Sequence, residues 1–339
     1  MSDWADRRAP AALAGPVISA SAGAAAAASS ALAPAEALWR SPHPGEAREL
    51  VVVNRHALRA PHGRHIGVLH RRFPEAVFAE PDLAQRMLQA TAAGQPAFDR
   101  VIVTGGDGTL NRFLKPILEA QAAVTLVPAG TANDLAHEVG LAGPGAPVAA
   151  PHERAVDVLM AGSHPFITVG YLGFGSEVVT AVNRWRRLPW SRPLQMVLGK
   201  FIYNLGVLWI AALRSLPVYH LRITAGGRTT ELRTALVVVA NQPRVGGTMT
   251  LAHGTRNDDG SFRLLAFRHT GGLALLRAIA ALCRGVEPAE AGVESFETAS
   301  AVVESLDGKP FLFCADGEEL VEGPRLELGV HPRQLRLQV

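Results

Sequence analysis

An α/β unit giving way to a mainly antiparallel β region is predicted from three features of the chain. From Glu49 to about Val139, short β-branched runs alternate with helical patterns, which implies parallel pairing in an α/β sheet. Beyond about Ala155 strand signals dominate, divided by turn signals such as Ala225-Gly226-Gly227 and Asp259-Gly260. The 339 residues, 48% apolar and 19% charged, suffice for one large or two medium domains with a sizeable core and exclude wholesale disorder.

Residues 1–47 are rich in alanine, serine and proline (Pro10, Pro16, Pro34, Pro42, Pro44) and read as a low-complexity, disordered tail. Arg7 and Arg8 precede an apolar-leaning stretch, as in a secretory signal, but Asp3 and Asp6 spoil the basic start and Pro16 interrupts the segment. Strands follow at 50–53, 76–79, 100–104 and 123–127, with helices at 82–93, 110–120 and 132–139, the last ended by Gly140. The later strands are 156–160, 166–170, 218–225, 230–239, 262–267, 296–304, 311–314 and 325–329, with a helix at 273–283. The apolar stretch 194–213 has the length of a membrane span. Lys200, Asn204 and two glycines inside it favour a buried or half-buried helix of the second domain.

Charge and cysteine content narrow the function classes. The excess of 33 Lys+Arg over 30 Asp+Glu is +3, too weak by itself to argue for nucleic acid, and none is expected as a partner. Cys283 and Cys314 stand far apart and outside any CxxC, so neither a disulfide framework nor a zinc cage is supported, and a reducing cytoplasm fits.

Two loops carry the chemistry. Val101-Ile-Val-Thr-Gly105-Gly106-Asp107-Gly108-Thr109-Leu110-Asn111 is a buried strand running into a glycine turn and a helix. Glycines there allow positive φ and close approach of backbone N–H groups to phosphate, and the helix terminus adds a favourable dipole. Asp107 would repel phosphate directly, so it works through a metal ion or an ordered water, or else is a helix cap. Val127-Pro128-Ala-Gly130-Thr131-Ala-Asn133-Asp134 again follows a strand and opens a helix, placing two loops on one edge of the sheet, where open α/β folds bind ligands. Helix capping is the plainer role for Asn133 or Asp134.

These motifs resemble the diacylglycerol kinase catalytic domain, including bacterial soluble lipid kinases and, more distantly, sphingosine and ceramide kinases. Gly105-Gly106-Asp107-Gly108-Thr109 matches one family motif and Pro128-Ala-Gly130-Thr131-Ala-Asn133-Asp134 the next. Gly170-Tyr-Leu-Gly-Phe-Gly175, Leu198-Gly-Lys-Phe-Ile-Tyr203, Asn241 to Gly247, Asp259-Gly260 and Asp316-Gly317-Glu318 follow in the family's order, so the resemblance spans roughly 50–335.

The resemblance implies a Rossmann-like, phosphofructokinase-type nucleotide domain (48–154 plus about 325–339) and a β-sandwich lipid-substrate domain (155–324), with ATP between them. It implies transfer of the γ-phosphoryl group of Mg-ATP to the hydroxyl of diacylglycerol or a similar lipid alcohol. Asn54, Gly105, Gly106, Asp107, Gly108, Thr109, Asn111, Gly130, Thr131, Asn133 and Asp134 would bind the nucleotide, and Glu318 would be the base, with Asp107 the next candidate. Without the resemblance, Asp316-Gly317 is a hairpin corner with a solvated glutamate beside it, and Glu319 points elsewhere. In bacterial relatives a loop matching Arg256-Asn-Asp-Asp259-Gly-Ser261 holds a structural Mg²⁺, so Asp259 and the carbonyls of Arg256 and Ser261 would hold one here. An ordinary Asp-Gly turn is the alternative. The chain departs from the family after Asn54, where Arg55-His56-Ala57-Leu58 replaces the usual proline and glycine loop, and near Ala79-Glu80, where a threonine is missing.

Arg184, Arg186, Arg187 and Arg192 interleave with Trp185, Leu188 and Trp190, either as a surface for lipid headgroups or as a solvated face with its aromatics folded inward. The expected reading is a cytoplasmic, peripherally membrane-associated lipid kinase, with a lipid substrate at the membrane surface and ATP as partners and a homodimer as an open alternative. Its rivals are an NAD kinase or other small-molecule kinase, and a non-catalytic lipid- or nucleotide-binding regulator.

Overall fold

The computed structural model describes residues 48–53, 62–92, 98–129, 133–141, 153–186, 215–246 and 249–338. Residues 1–47, Asn54, Gly130, Thr131, the basic positions 187 and 192 and the apolar stretch 194–213 lie outside them, and the side chain of Arg186 is likewise not described.

Four strands, β1 (Glu49–Val53), β2 (Val77–Ala79), β3 (Arg100–Gly105) and β4 (Ala123–Pro128), pair in parallel in the order β2-β1-β3-β4. Helices α1 (His62–Arg72), α2 (Pro81–Ala92) and α3 (Asp107–Glu119) connect them, and α4 (Asp134–Glu138) follows β4. Right-handed crossovers put α1 on one face of the sheet and α2 and α3 on the other. On the first face Val51, Val53 and Ile102 bury against Leu69 and Phe73; on the second, an Arg112–Asp82 ion pair ties α3 to α2. Sequence reading does not anticipate α1: Ile66 and Leu69 stand at helical spacing on its core face, but they are few among glycines, histidines and arginines.

The remaining elements in chain order are β5 (Glu153–Ala161), β6 (His164–Phe166), β7 (Val169–Gly173), α5 (Phe174–Arg186), β8 (Tyr219–Ala225), β9 (Arg228–Thr234) and β10 (Leu236–Ala240). They continue with β11 (Arg244–Val245), β12 (Met249–Thr250), β13 (Phe262–Phe267), α6 (Gly272–Cys283), β14 (Val293–Thr298) and β15 (Ser300–Ser305). The series ends with β16 (Phe311–Ala315), β17 (Glu318–Gly323) and β18 (Arg325–Gln338). Six form an antiparallel sheet, β14-β13-β10-β7-β16-β17. It stacks on β18-β15-β8-β9, with β5 beside β18, to make an antiparallel sandwich.

The two sheets share a core of Leu159, Phe166, Leu172, Ile223, Phe262, Phe311 and Phe313, among others. The outer face of the six-stranded sheet is covered by α5 and α6. A sheet buried on both faces needs apolar residues at every position, and β10 shows it: Val237 and Val239 point into the sandwich, Leu236, Val238 and Ala240 toward the helices.

Three runs expected as single strands are each two. The runs 230–239 and 296–304 break at Ala235 and Ala299, where the chain leaves one sheet for the other. Both corners use the same device. The Thr234 hydroxyl donates to the Leu236 carbonyl (2.8 Å) and accepts from its N–H (3.1 Å), and Thr298 does the same with Ser300 (2.7 and 3.2 Å). The run 166–170 breaks at Ile167 and Thr168 for the same crossing. β-branched residues favour extended backbone on either side of such a corner, so their pattern hides it.

β18 is longer than the expected 325–329. It pairs antiparallel with β15 and β5, and Leu337 and Gln338 then lie parallel to Val124 and Thr125 of β4, making one ten-stranded sheet of the α/β unit and half of the sandwich.

Gly170 shows how closely β7 and β16 approach: a Cβ there would lie 2.9 Å from Phe313 Cε2 and 3.0 Å from Cε1, inside the buried ring's contact distance. Gly170→Ala is expected to lower stability by about 1–3 kcal/mol, as overpacking does, measured by urea denaturation. An unchanged midpoint would mean that the ring moves aside at no cost.

Candidate active site

β3 and β4 are parallel neighbours, with Gly105 opposite Pro128 and the Ala129 N–H bonded to the Gly105 carbonyl at 2.9 Å, so their following loops leave the same sheet edge. Gly106 is the N-cap of α3, with φ −110° and ψ −171°, and the glycines with positive φ among the described residues lie elsewhere. The expected positive φ in this loop is therefore corrected: the glycines serve space, not handedness. A Cβ at Gly105 would sit 2.6 Å from Thr109 Cβ, whereas one at Gly108 would meet nothing within 4 Å. Gly105 lets α3 close onto the strand end, and Gly108 opens outward. Asn111, half-buried, lies further along α3.

Asp107 spans the two loops. Its Oδ2 accepts the Asp134 N–H (2.8 Å) and its Oδ1 the Leu135 N–H (3.2 Å), so it caps α4, the neighbouring helix, rather than its own. Asn133, the N-cap residue of α4, has φ 52° and ψ 46° and makes no side-chain cap bond. Burial raises the Asp107 carboxyl above its ordinary value, the two N–H donors oppose this, and the negative charge of Asp316 raises it further. α3 packs against β6, the strand that leads into the Ile167–Thr168 corner.

The hairpin turns on Asp316 (φ 49°) and Gly317 (φ 87°) with Ala315 opposite Glu318, a two-residue turn of the type that Asp-Gly favours. The buried Asp316 carboxylate accepts N–H bonds from Ile167 (2.8 Å), Thr168 (2.8 Å) and Val169 (3.3 Å) and the Thr168 hydroxyl at 2.5 Å. Burial raises this carboxyl too, with its donors working against the shift, the Thr168 hydroxyl foremost. From the other side, Asn183 of α5 donates to the Gly317 carbonyl at 2.6 Å, and the Thr180 hydroxyl donates to Glu319 at 2.8 Å. Glu319 is thus turned toward α5, while Glu318 is solvent-exposed and makes no side-chain bond among the described residues.

A further buried carboxylate was missed by sequence reading. Asp157 accepts the Gly260 N–H (2.7 Å) and the Arg333 N–H (2.7 Å), pinning the 256–261 loop to the bulge of β18. Asn241 donates to the carbonyls of Asp157 (3.0 Å) and Ile167 (2.7 Å), linking this point to the Asp316 corner. The signal was present as a lone acid inside the apolar run Val156-Asp157-Val158-Leu159. In the loop, Asp259 Oδ1 accepts the N–H and hydroxyl of Ser261, leaving Oδ2 without a bond among the described residues, and the Arg256 guanidinium pairs with Asp258. Among the described residues no group of three or more histidines, cysteines or acids is placed to hold a metal.

Two family models match the chain in order: the diacylglycerol kinase catalytic domain over residues 50–170 and the YegS C-terminal NAD kinase beta sandwich-like domain over 168–339. A probable lipid kinase YegS-like from Chromohalobacter salexigens is 30% identical over 240 residues, 65% of this chain and 73% of that protein. A diacylglycerol kinase from Bacillus subtilis is 25% identical over 236 residues, 66% of this chain and 74% of its own. A putative diacylglycerol kinase from Bacillus anthracis, with a solved structure, superposes with a TM-score of 0.67 over 86% of this chain and 95% of its own, at 18% identity, and shares the fold. With both halves matched in order, and a relative 30% identical over 73% of its length, the chain belongs to the diacylglycerol kinase catalytic-domain family.

Proposed function

We propose that the protein is an ATP-dependent lipid kinase acting at a membrane surface and phosphorylating the hydroxyl of diacylglycerol or a similar lipid alcohol. The observation that carries this reading is a pair of strand-end loops joined by Asp107, with α3 packed against β6, the strand leading into the corner that clamps the Asp316 hairpin and leaves Glu318 exposed.

The residues present fit a nucleotide. Gly108 leaves open space at the N-terminus of α3, where free N–H groups and the helix dipole favour phosphate. The Thr104 hydroxyl, buried just before the loop, has no hydrogen-bond partner among the described residues. Gly105, Gly106, Gly108 and Thr109 would therefore hold the phosphates, with Asn111, Asn133 and Asp134 beside them. Asn54, Gly130 and Thr131, assigned to the same task, lie outside the described residues. Asp259 Oδ2, with the carbonyls of Arg256 and Ser261, suits a magnesium ion, which prefers oxygen ligands. ATP supplies the γ-phosphoryl group, and Mg²⁺ neutralises its charge.

Asp107 spends both carboxylate oxygens on α4, so its work is to keep the loops in register. That leaves Glu318 to take the proton of the substrate hydroxyl: it is exposed, and Asp316, Thr168 and Asn183 fix the turn that bears it. General-base catalysis needs a carboxylate held within reach of the hydroxyl, and a clamped turn meets that need.

Glu318→Gln is expected to lower turnover by roughly 10²–10⁴-fold with ATP affinity near that of the wild type, while Glu319→Gln stays nearly normal. The measurement is phosphoryl transfer from labelled ATP to diacylglycerol, sphingosine, ceramide, phosphatidylglycerol and NAD, offered separately. Full activity of Glu318→Gln would move the base elsewhere, and NAD as the only product-forming acceptor would overturn the lipid reading.

Gly108→Val separates binding from folding. Its Cβ meets no protein atom within 4 Å, so thermal stability should hold while the added methyl groups obstruct the phosphates. Calorimetry showing unchanged Mg-ATP affinity in this variant would remove the nucleotide from this loop.

A further inference from the structure

Helix α6 has an outward face that its place in the fold does not explain. Leu275, Ala278 and Leu282 bury against the six-stranded sheet, in one cluster with Phe174, Val178 and Val182 of α5. On the opposite side Leu273, Arg277, Ala280 and Arg284 recur at spacings of four, three and four, so they stack on one stripe. Leu273 is 64% exposed, one of two large hydrophobic residues so exposed among the described residues. Half-buried Leu276 borders the stripe.

A helix facing only water generally mixes acidic with basic residues on its exposed face. α6 carries no acidic residue at all, and Glu287 and Glu290 come only after its end. Among the described residues neither Arg277 nor Arg284 has an ion pair or side-chain hydrogen bond. Leucine and alanine flanked by unpaired arginines suit the boundary between headgroups and acyl chains, where the guanidinium stays with phosphate and the apolar side chain enters. α6 also lies in the same layer as α5, whose Thr180 and Asn183 hold the hairpin of Glu318.

We propose that this face of α6 docks on an anionic bilayer, with Leu273 inserted at the acyl boundary and Arg277 and Arg284 against headgroup phosphates. The inference rests on the lipid-kinase reading, since a bilayer is where such a substrate resides. It assigns the docking to a surface other than the Arg184–Arg192 segment.

The test is cosedimentation of the full chain with phosphatidylcholine vesicles with and without phosphatidylglycerol, at low and high salt. Leu273→Ser and Arg277→Gln/Arg284→Gln are compared with wild type, and thermal midpoints and sedimentation velocity are run alongside. All altered side chains are exposed or half-exposed, so folding should persist. Wild-type binding should need phosphatidylglycerol and fall with salt. Each variant should bind about tenfold or more weakly, the arginine pair through lost charge and the serine through lost insertion. Equal binding by folded variants would overturn the proposal. So would variants that change self-association but not vesicle binding, since the face would then seat a second copy. A wild type that phosphorylates detergent-dispersed lipid while the variants bind vesicles as it does defeats the docking face and keeps the kinase. Weakened variant binding in a protein that phosphorylates no lipid supports the face and defeats the kinase.

Discussion

The buried carboxylate of Asp316 is the interaction on which the geometry of the site depends. It sits at the tip of one hairpin and gathers three consecutive N–H groups and a hydroxyl from the corner where the chain passes between sheets at Ile167 and Thr168. A corner of this kind breaks the β ladder and strands backbone donors inside the protein, and leaving them unpaired would cost more than the bonds themselves return. One side chain therefore satisfies the corner and orients the turn next to Glu318. The cost of burying its charge is offset only while all its donors are in place.

Asp107 repeats this logic in the other half. It too is an acid, half-buried, whose partners are backbone N–H groups, and it joins two loops that are distant in sequence. Asp157 is a third case, joining the 256–261 loop to β18. The loops around the site are thus held chiefly by acids bonded to main chain, an arrangement that tolerates variation in the side chains around it.

Legibility in the sequence followed periodicity and failed where side chains act on backbone. β13 was plain because both faces of its sheet are buried, and β3 and β4 because they end in glycine loops. The parallel pairing and the shared sheet edge followed from the alternation of strands and helices, whereas the strand order did not. What escaped included sheet-switching corners, since Thr234 and Thr298 look like ordinary strand residues, helix α1, in which apolar residues are few, and helix α5. In the site, the glycine loops and the Asp-Gly-Glu turn were recognisable, but the direction of each carboxylate was not. Asp107 had been given a metal, a water or a helix cap, without the sign that the helix it caps is α4, and Asp157 had been passed over.

β18 has a consequence for how the protein is made. Val124 finds its neighbour in Leu337, so an early strand must wait for its partner until the whole sandwich has left the ribosome. In that interval β4 is a bare sheet edge, open to pairing with any other nascent chain. The α/β half can collapse first but stays unsealed on that side, which makes the downstream strand the latch that ends the vulnerable phase of biogenesis.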